Sequence, residues 1–174
     1  MSVYDERFDR IKAAINLEPV DKVPVISGLA AVAAPMTGTS MKDYLSDMEL
    51  NCTVNIKATE MLGNIDGIQT PLASPEGLPT LWLSRIRVPA KELPDNELWQ
   101  VLEAELVTQE DYDIILEGGF GPWYQNFMKE KLDDPISRMS HVTQYMPTAI
   151  ERFTQAGYPV VKDGSLLTPF EMLC

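Results

Sequence analysis

The sequence predicts an α/β protein built around a parallel sheet. Two short apolar runs, residues 23–27 and 65–70, are typical of buried strands, and the amphipathic stretch between them is typical of a helix. A strand–helix–strand unit of this kind joins parallel strands by a right-handed crossover. A third run, residues 158–162, follows another helical stretch and extends the same pattern.

Helical periodicity and terminal residues predict the helices. Apolar residues recur at helical spacing over residues 3–17 and 40–62, with Ser40 as N-cap and Gly63 as C-cap of the longer helix. Further helices are predicted at 108–117, at 134–157 with a kink at Pro147, and from residue 166 to the end of the chain.

The segment 81–106 interrupts this pattern and predicts an inserted antiparallel hairpin. Residues 81–88 and 99–106 both alternate in polarity, and a loop rich in turn-forming residues separates them. Arg85 and Arg87 share one face of the first strand, and Glu103 and Glu105 share one face of the second. We expect cross-strand ion pairs on a solvated surface, within a single domain that spans residues 1–174.

Composition and charge exclude several classes of protein. The chain has 14 basic and 26 acidic residues, a net charge of −12, so neither nucleic acid nor an anionic membrane surface is an expected partner. No apolar stretch reaches the roughly 20 residues that span a bilayer. Two cysteines, Cys52 and Cys174, form no disulfide framework, which favours a cytoplasmic location.

The opening of the chain carries a family pattern. Residues 17–25 read LEPVDKVPV, which resembles the G-E-P-V-D-R-x-P-V start of the uroporphyrinogen decarboxylase-like superfamily. Residues 66–68, 157–160 and 169–170 resemble later pieces of the same pattern. The resemblance implies a partial (β/α)₈ TIM barrel with the hairpin inserted. Since family members are about twice as long, it also implies that this chain corresponds to their N-terminal half and is inactive alone.

Two enzymatic branches of the superfamily are open, and the residues favour one. The decarboxylases of porphyrin biosynthesis grip their substrate with an arginine-rich loop after the first strand, whereas residues 28–36 contain no arginine. The expected catalytic aspartate has no match in residues 69–73. The chain therefore resembles the corrinoid-dependent methyltransferases more closely. The alternatives are a decarboxylase, or a non-catalytic, truncated module that needs a partner chain.

The methyltransferase resemblance implies zinc and a corrinoid for the full-length family. Its zinc ligands are a His-x-Cys pair and a distant cysteine, all in the C-terminal half, and no such motif occurs here. His141, Cys52 and Cys174 are too far apart in the sequence to define a zinc site, so neither cofactor is identifiable in this chain. The partners implied are a corrinoid protein and either a second copy of this chain or a complementary C-terminal half.

Candidate site residues follow from position alone. In a (β/α)₈ barrel, functional groups lie at the carboxyl ends of the strands. Those ends carry five polar residues, which we predict to line a substrate pocket: Ser27, Gln69, Thr70, Lys162 and Asp163. The sequence identifies no catalytic residue.

Overall fold

The structure of the chain, a computed structural model, describes residues 1–69, 72–162 and 165–167. The chain divides into two compact units, one comprising residues 1–73 and the chain from residue 142 onward, the other residues 74–141. In chain order, the elements are α1 (Val3–Ile15), β1 (Ile26–Ser27), a 3₁₀ turn (Ala30–Val32), α2 (Ala33–Thr37), α3 (Met41–Ser46), α4 (Met48–Leu62), β2 (Gly67–Ile68), α5 (Leu78–Trp82), β3 (Ile86–Arg87), β4 (Gln100–Val101), α6 (Gln109–Gly118), α7 (Phe120–Glu130), α8 (Pro135–Arg138), α9 (Ser140–Gln155), β5 (Val160–Lys162) and β6 (Ser165–Leu167).

The predicted partial TIM barrel is wrong. The described part of the chain is mostly helical, and its short strands form two small sheets. The larger sheet has the order β1-β2-β5-β6, in which β1, β2 and β5 are parallel and β6 is antiparallel to β5. A barrel requires each strand to have a partner on both sides, whereas among the described residues β1 and β6 are the outer strands of this sheet.

The strand β6 also corrects the helix predicted from residue 166. Val161 pairs with Leu166, so residues 165–167 are extended rather than helical. By pairing with β5, residues 165–167 give hydrogen-bond partners to backbone groups along that side of β5. Those groups would lack these partners if a helix began here. The remainder of the predicted helix lies outside the described residues.

Helix ends follow local sequence signals. The Ser40 hydroxyl accepts a hydrogen bond from the Asp43 amide at 3.0 Å, as its predicted N-cap role requires, and Gly63 ends α4. The predicted long helix is nevertheless divided at Asp47, whose carboxylate accepts bonds from two amides at the start of α4. Pro147, where we predicted a kink, lies within α9.

The core of the first unit packs α4 and α9 against the sheet. Its buried cluster comprises Cys52, Ile65, Ile68, Leu72, Val142, Ala149, Ile150, Phe153, Tyr158 and Val160. Burying such apolar side chains contributes about 1.5–3 kcal/mol each for the larger ones. Among the helices that the structure describes, none is both long and apolar enough to cross a membrane.

Helix α1 covers the amino ends of the three parallel strands. The Arg10 guanidinium donates to the Asp66 carboxylate at 2.7 Å, directly before β2, and that carboxylate also accepts from the Val25 amide, directly before β1. Arg7 donates to the Gly157 carbonyl at 2.7 Å and stacks on the Tyr158 ring, just before β5. These contacts leave the carboxyl ends of the strands as the edge that α1 does not cover.

The second unit contains the predicted hairpin in shortened form. Ile86 pairs with Val101 and Arg87 with Gln100, which confirms antiparallel pairing between the two segments. The first two residues of the predicted strand, residues 81–82, belong instead to α5, because Pro79 at the start of that helix presets its backbone angle. Among the described residues, no ion pair joins Arg85 or Arg87 to Glu103 or Glu105; both glutamates are exposed beyond β4.

An aromatic cluster on α7 organises the remainder of the second unit. Trp123 and Phe127 stack with ring centroids 5.0 Å apart and are both buried, while Phe120 remains 58% exposed. The Trp123 indole donates to the Asp111 carboxylate at 2.9 Å, and the Thr108 amide donates to it at 2.7 Å. These bonds lower the pKa of Asp111 to about 2, with the Thr108 amide as the larger cause.

This pKa predicts an acid-sensitive second unit. Because the folded pKa lies below the unfolded value of about 3.9, the contribution of Asp111 to stability is complete above about pH 4. It is lost as the pH falls towards 2. We expect Asp111→Asn to unfold at a urea concentration that changes less between pH 5 and pH 2 than in the wild type, measured by tryptophan fluorescence. Asp113→Asn, the same change at an exposed position of α6, should retain the wild-type pH dependence.

Candidate functional site

The candidate site lies at the carboxyl ends of β1, β2 and β5. The backbone amide of Gln69 donates to the Ser27 carbonyl at 2.8 Å, so these two predicted site residues are neighbours across the sheet. Ser27 is buried and Gln69 is exposed. Lys162 ends β5 on the same edge, where only its backbone is described. Thr70 and Asp163, also predicted for this site, lie outside the described residues.

The side chain of Gln69 lies close to Gly28. A β-carbon added at Gly28 would lie 3.8 Å from Gln69 Oε1, which is an ordinary contact distance. The side-chain amide of Gln69 therefore lies beside Gly28, the first residue after β1. A primary amide can both donate and accept hydrogen bonds at this position.

The segment 28–39, predicted as a loop that could include a helical turn, forms a 3₁₀ turn followed by α2. It contains no charged residue. Leu29, Ala33 and Ala34 are buried, whereas Val32 is 50% exposed. The Thr37 hydroxyl donates to the Ala33 carbonyl at 3.0 Å near the end of α2. The carboxyl edge is thus bordered by a compact, uncharged and largely apolar segment.

A buried polar network anchors the chain after β1 and after β2. The Tyr44 hydroxyl donates to the Ala30 carbonyl at 2.8 Å, and the Asn55 amide donates to the Tyr44 hydroxyl at 3.0 Å. The Asn51 amide donates to the Ala73 carbonyl at 2.8 Å. Burial raises the pKa of Tyr44 to about 12, so its hydroxyl remains a donor at neutral pH.

Sequence analysis missed this network. Its signal was the pair of asparagines four residues apart, Asn51 and Asn55, followed by Thr59 on the same buried face of α4. Buried amides of this kind require hydrogen-bonding partners. Which carbonyls they bind depends on how the chain folds, so the signal indicates a polar network without its partners.

The arginines of the first unit bind elsewhere in the structure. Arg7 and Arg10 lie at the amino ends of the strands, as described above. Arg152 donates to the Thr53 hydroxyl at 2.8 Å and to the Tyr145 hydroxyl at 3.0 Å, between α9 and α4. All three arginines that the sequence places in this unit are therefore engaged away from the candidate site.

The described residues do not fit a zinc site. No group of three or more histidine, cysteine, aspartate or glutamate side chains among them is arranged to bind a metal ion. Cys52 is fully buried, and burial raises the pKa of its thiol to about 11, which disfavours the thiolate that zinc requires. His141 Nε2 lies 3.6 Å from Glu76 Oε2 in the second unit, and Cys174 lies outside the described residues.

Comparisons of the chain with protein-family models, with curated proteins and with solved structures found no match.

Proposed function

We propose that the chain takes part in methyl transfer with a corrinoid, and that the carboxyl edge of β1, β2 and β5 binds the methyl-bearing group. The proposal rests on the resemblance of residues 17–25 to the uroporphyrinogen decarboxylase-like superfamily. Within that superfamily, the absence of arginine from residues 28–36 favours the corrinoid-dependent methyltransferases. The structural observation that carries it is the uncharged segment 28–39 beside this edge. In parallel α/β sheets, ligands bind outside the carboxyl ends of the strands.

The chemistry of this edge suits an apolar group better than a polycarboxylate. A tetrapyrrole with many carboxylates needs cationic partners, and the three arginines of the first unit bind elsewhere. This observation disfavours the decarboxylase alternative.

Each part of the edge has a role in the proposal. A bound methylcorrinoid supplies a cobalt-bound methyl group that can be transferred to a nucleophile. The segment 28–39 provides apolar contact and excludes water, and Val32 is its exposed large apolar side chain. Gln69 provides an amide that can bind polar groups at the rim. Tyr44 and Asn51 position the two segments through the Ala30 and Ala73 carbonyls.

A charge placed on the uncharged segment tests the proposal. We expect methylcobalamin to bind the wild-type chain saturably in isothermal titration calorimetry. Val32→Glu should weaken that binding at least tenfold, because a carboxylate in contact with an apolar group loses hydration. Val23→Glu is the matched control, since Val23 is 79% exposed and precedes β1 at the opposite end of the strand.

The control shows whether a loss of methylcobalamin binding is specific to the segment 28–39 or follows from any added carboxylate. Val23→Glu should bind methylcobalamin as the wild type does, and circular dichroism should show that both variants are folded. No saturable binding by the wild type, or an equal loss in both variants, would contradict the proposal.

A further inference from the structure

A small cavity with an unusual concentration of positive charge lies entirely within the second unit. Its volume is about 250 Å³, and three cationic side chains, Arg85, Lys91 and Arg138, line it. The second unit, residues 74–141, contains six lysines and arginines against thirteen acidic residues. Half of the cations of an acidic unit therefore border one cavity.

Two of these cations are positioned by other groups. Arg85 Nε donates to the Lys131 carbonyl at 3.0 Å, a single bond that orients the guanidinium and leaves its two terminal nitrogens to other partners. Arg138 pairs with Asp133 at 2.5 Å. An oriented guanidinium loses less conformational freedom on binding a planar anion than a mobile one does.

The acidic residues of the lining do not cancel its charge. Glu92 and Asp133 contribute two negative charges against the three positive ones. The Glu92 carboxylate accepts a hydrogen bond from the Val88 amide at 3.0 Å, and the Asp133 carboxylate pairs with Arg138. The lining therefore carries one net positive charge, which a single negative charge would neutralise.

The remaining walls of the cavity are apolar. Ile86, Val88 and Leu132 line it together with two prolines, and Val88 and Leu132 are buried. Ligand pockets commonly combine apolar walls with a few polar groups that orient the ligand, and those for drug-sized molecules measure about 300–1,000 Å³. A cavity of about 250 Å³ lies just below that range and suits a molecule smaller than a drug.

We propose that this cavity binds a small organic monocarboxylate with an apolar body. The carboxylate would lie between Arg85, Lys91 and Arg138, and the apolar body would contact Ile86 and Leu132. This site goes beyond the methyl-transfer proposal and does not depend on it, since all its residues belong to the second unit.

Benzoate is a suitable probe because it combines one carboxylate with a compact apolar ring. We expect it to bind the full chain saturably in isothermal titration calorimetry. Arg85→Gln and Arg138→Gln should each weaken binding about tenfold, because each removes a charge-assisted hydrogen bond. Lys129→Gln removes the same charge from an exposed position of α7 outside the cavity lining, and it should leave benzoate binding unchanged.

Two further ligands test separately whether the cavity recognises the negative charge and the apolar body. Benzylamine, with the same ring and a positive charge, and inorganic phosphate, an anion without an apolar body, should both bind at least tenfold more weakly than benzoate. The proposal is overturned if the wild-type chain does not bind benzoate saturably. It is also overturned if benzylamine or phosphate binds equally well, or if Lys129→Gln weakens binding as much as Arg85→Gln and Arg138→Gln do.

Discussion

Replacing Arg10 with methionine should lower the free energy of unfolding by about 3–5 kcal/mol, the cost of breaking a buried ion pair by removing one partner. The Arg10 guanidinium donates to Asp66 at 2.7 Å, and Asp66 is only 1% exposed. Without the guanidinium, a buried carboxylate would retain the Val25 amide and the Lys22 ammonium, whose nitrogen is 3.4 Å away. Urea unfolding followed by circular dichroism measures the loss.

Lys22→Met is the matched control for this prediction. Lys22 pairs with the same carboxylate, but its side chain is 44% exposed, and an exposed ion pair contributes less than about 1 kcal/mol. A loss of stability in Arg10→Met no larger than that in Lys22→Met would show that the Arg10–Asp66 pair does not anchor α1 to the strands.

Replacing Gly67 with alanine should destabilise the protein by about 3 kcal/mol, the upper range for forcing an extra methyl into a packed core. The new β-carbon would lie 2.9 Å from the Pro159 carbonyl oxygen and 3.0 Å from Ile11 Cδ1. That carbonyl accepts the Ile68 amide at 2.9 Å, so a shift of the backbone would also disturb the pairing of β2 with β5.

Gly118→Ala provides the comparison for this substitution. Gly118 lies in α6, and a β-carbon there would have no neighbour within 4 Å apart from the adjacent residues of the chain. Since alanine is favoured over glycine in helices by up to about 1 kcal/mol, this variant should be as stable as the wild type or slightly more stable. Equal stability of the two variants in thermal unfolding would contradict the close packing around Gly67.

Local signals predicted some helix ends and the parallel strands of this fold. The Ser40 hydroxyl and the backbone freedom of Gly63 both act within one helical turn, so their roles can be predicted from the sequence. The parallel pairing of β1, β2 and β5 follows from the helices between them.

The errors arose where distant parts of the chain decide the structure. Residues 165–167 pair with β5, and this contact overrides the helical pattern seen from residue 166. The barrel was inferred from the resemblance of a few short segments, above all residues 17–25, whereas closure of a barrel depends on strands throughout a chain.

Only part of the candidate site was predicted, because the rest of it depends on contacts between distant parts of the chain. The positions of Ser27 and Gln69 at strand ends follow from the predicted strands, and the structure places their backbones in direct contact. The roles of Tyr44 and Asn51 depend on carbonyls 14 and 22 residues away. Hydrogen bonds across such separations follow from tertiary packing rather than from local pattern.

The most direct test of the account is to map where methylcobalamin binds on the isotopically labelled chain by amide nuclear magnetic resonance. The account predicts shifts at the carboxyl edge, for the amides of Gly28, Val32 and Gln69, and none for Asp66 and Gly157 at the edge covered by α1. Shifts confined to Asp66 and Gly157, or no shifts at saturating methylcobalamin, would contradict the claim that the carboxyl edge is the functional one.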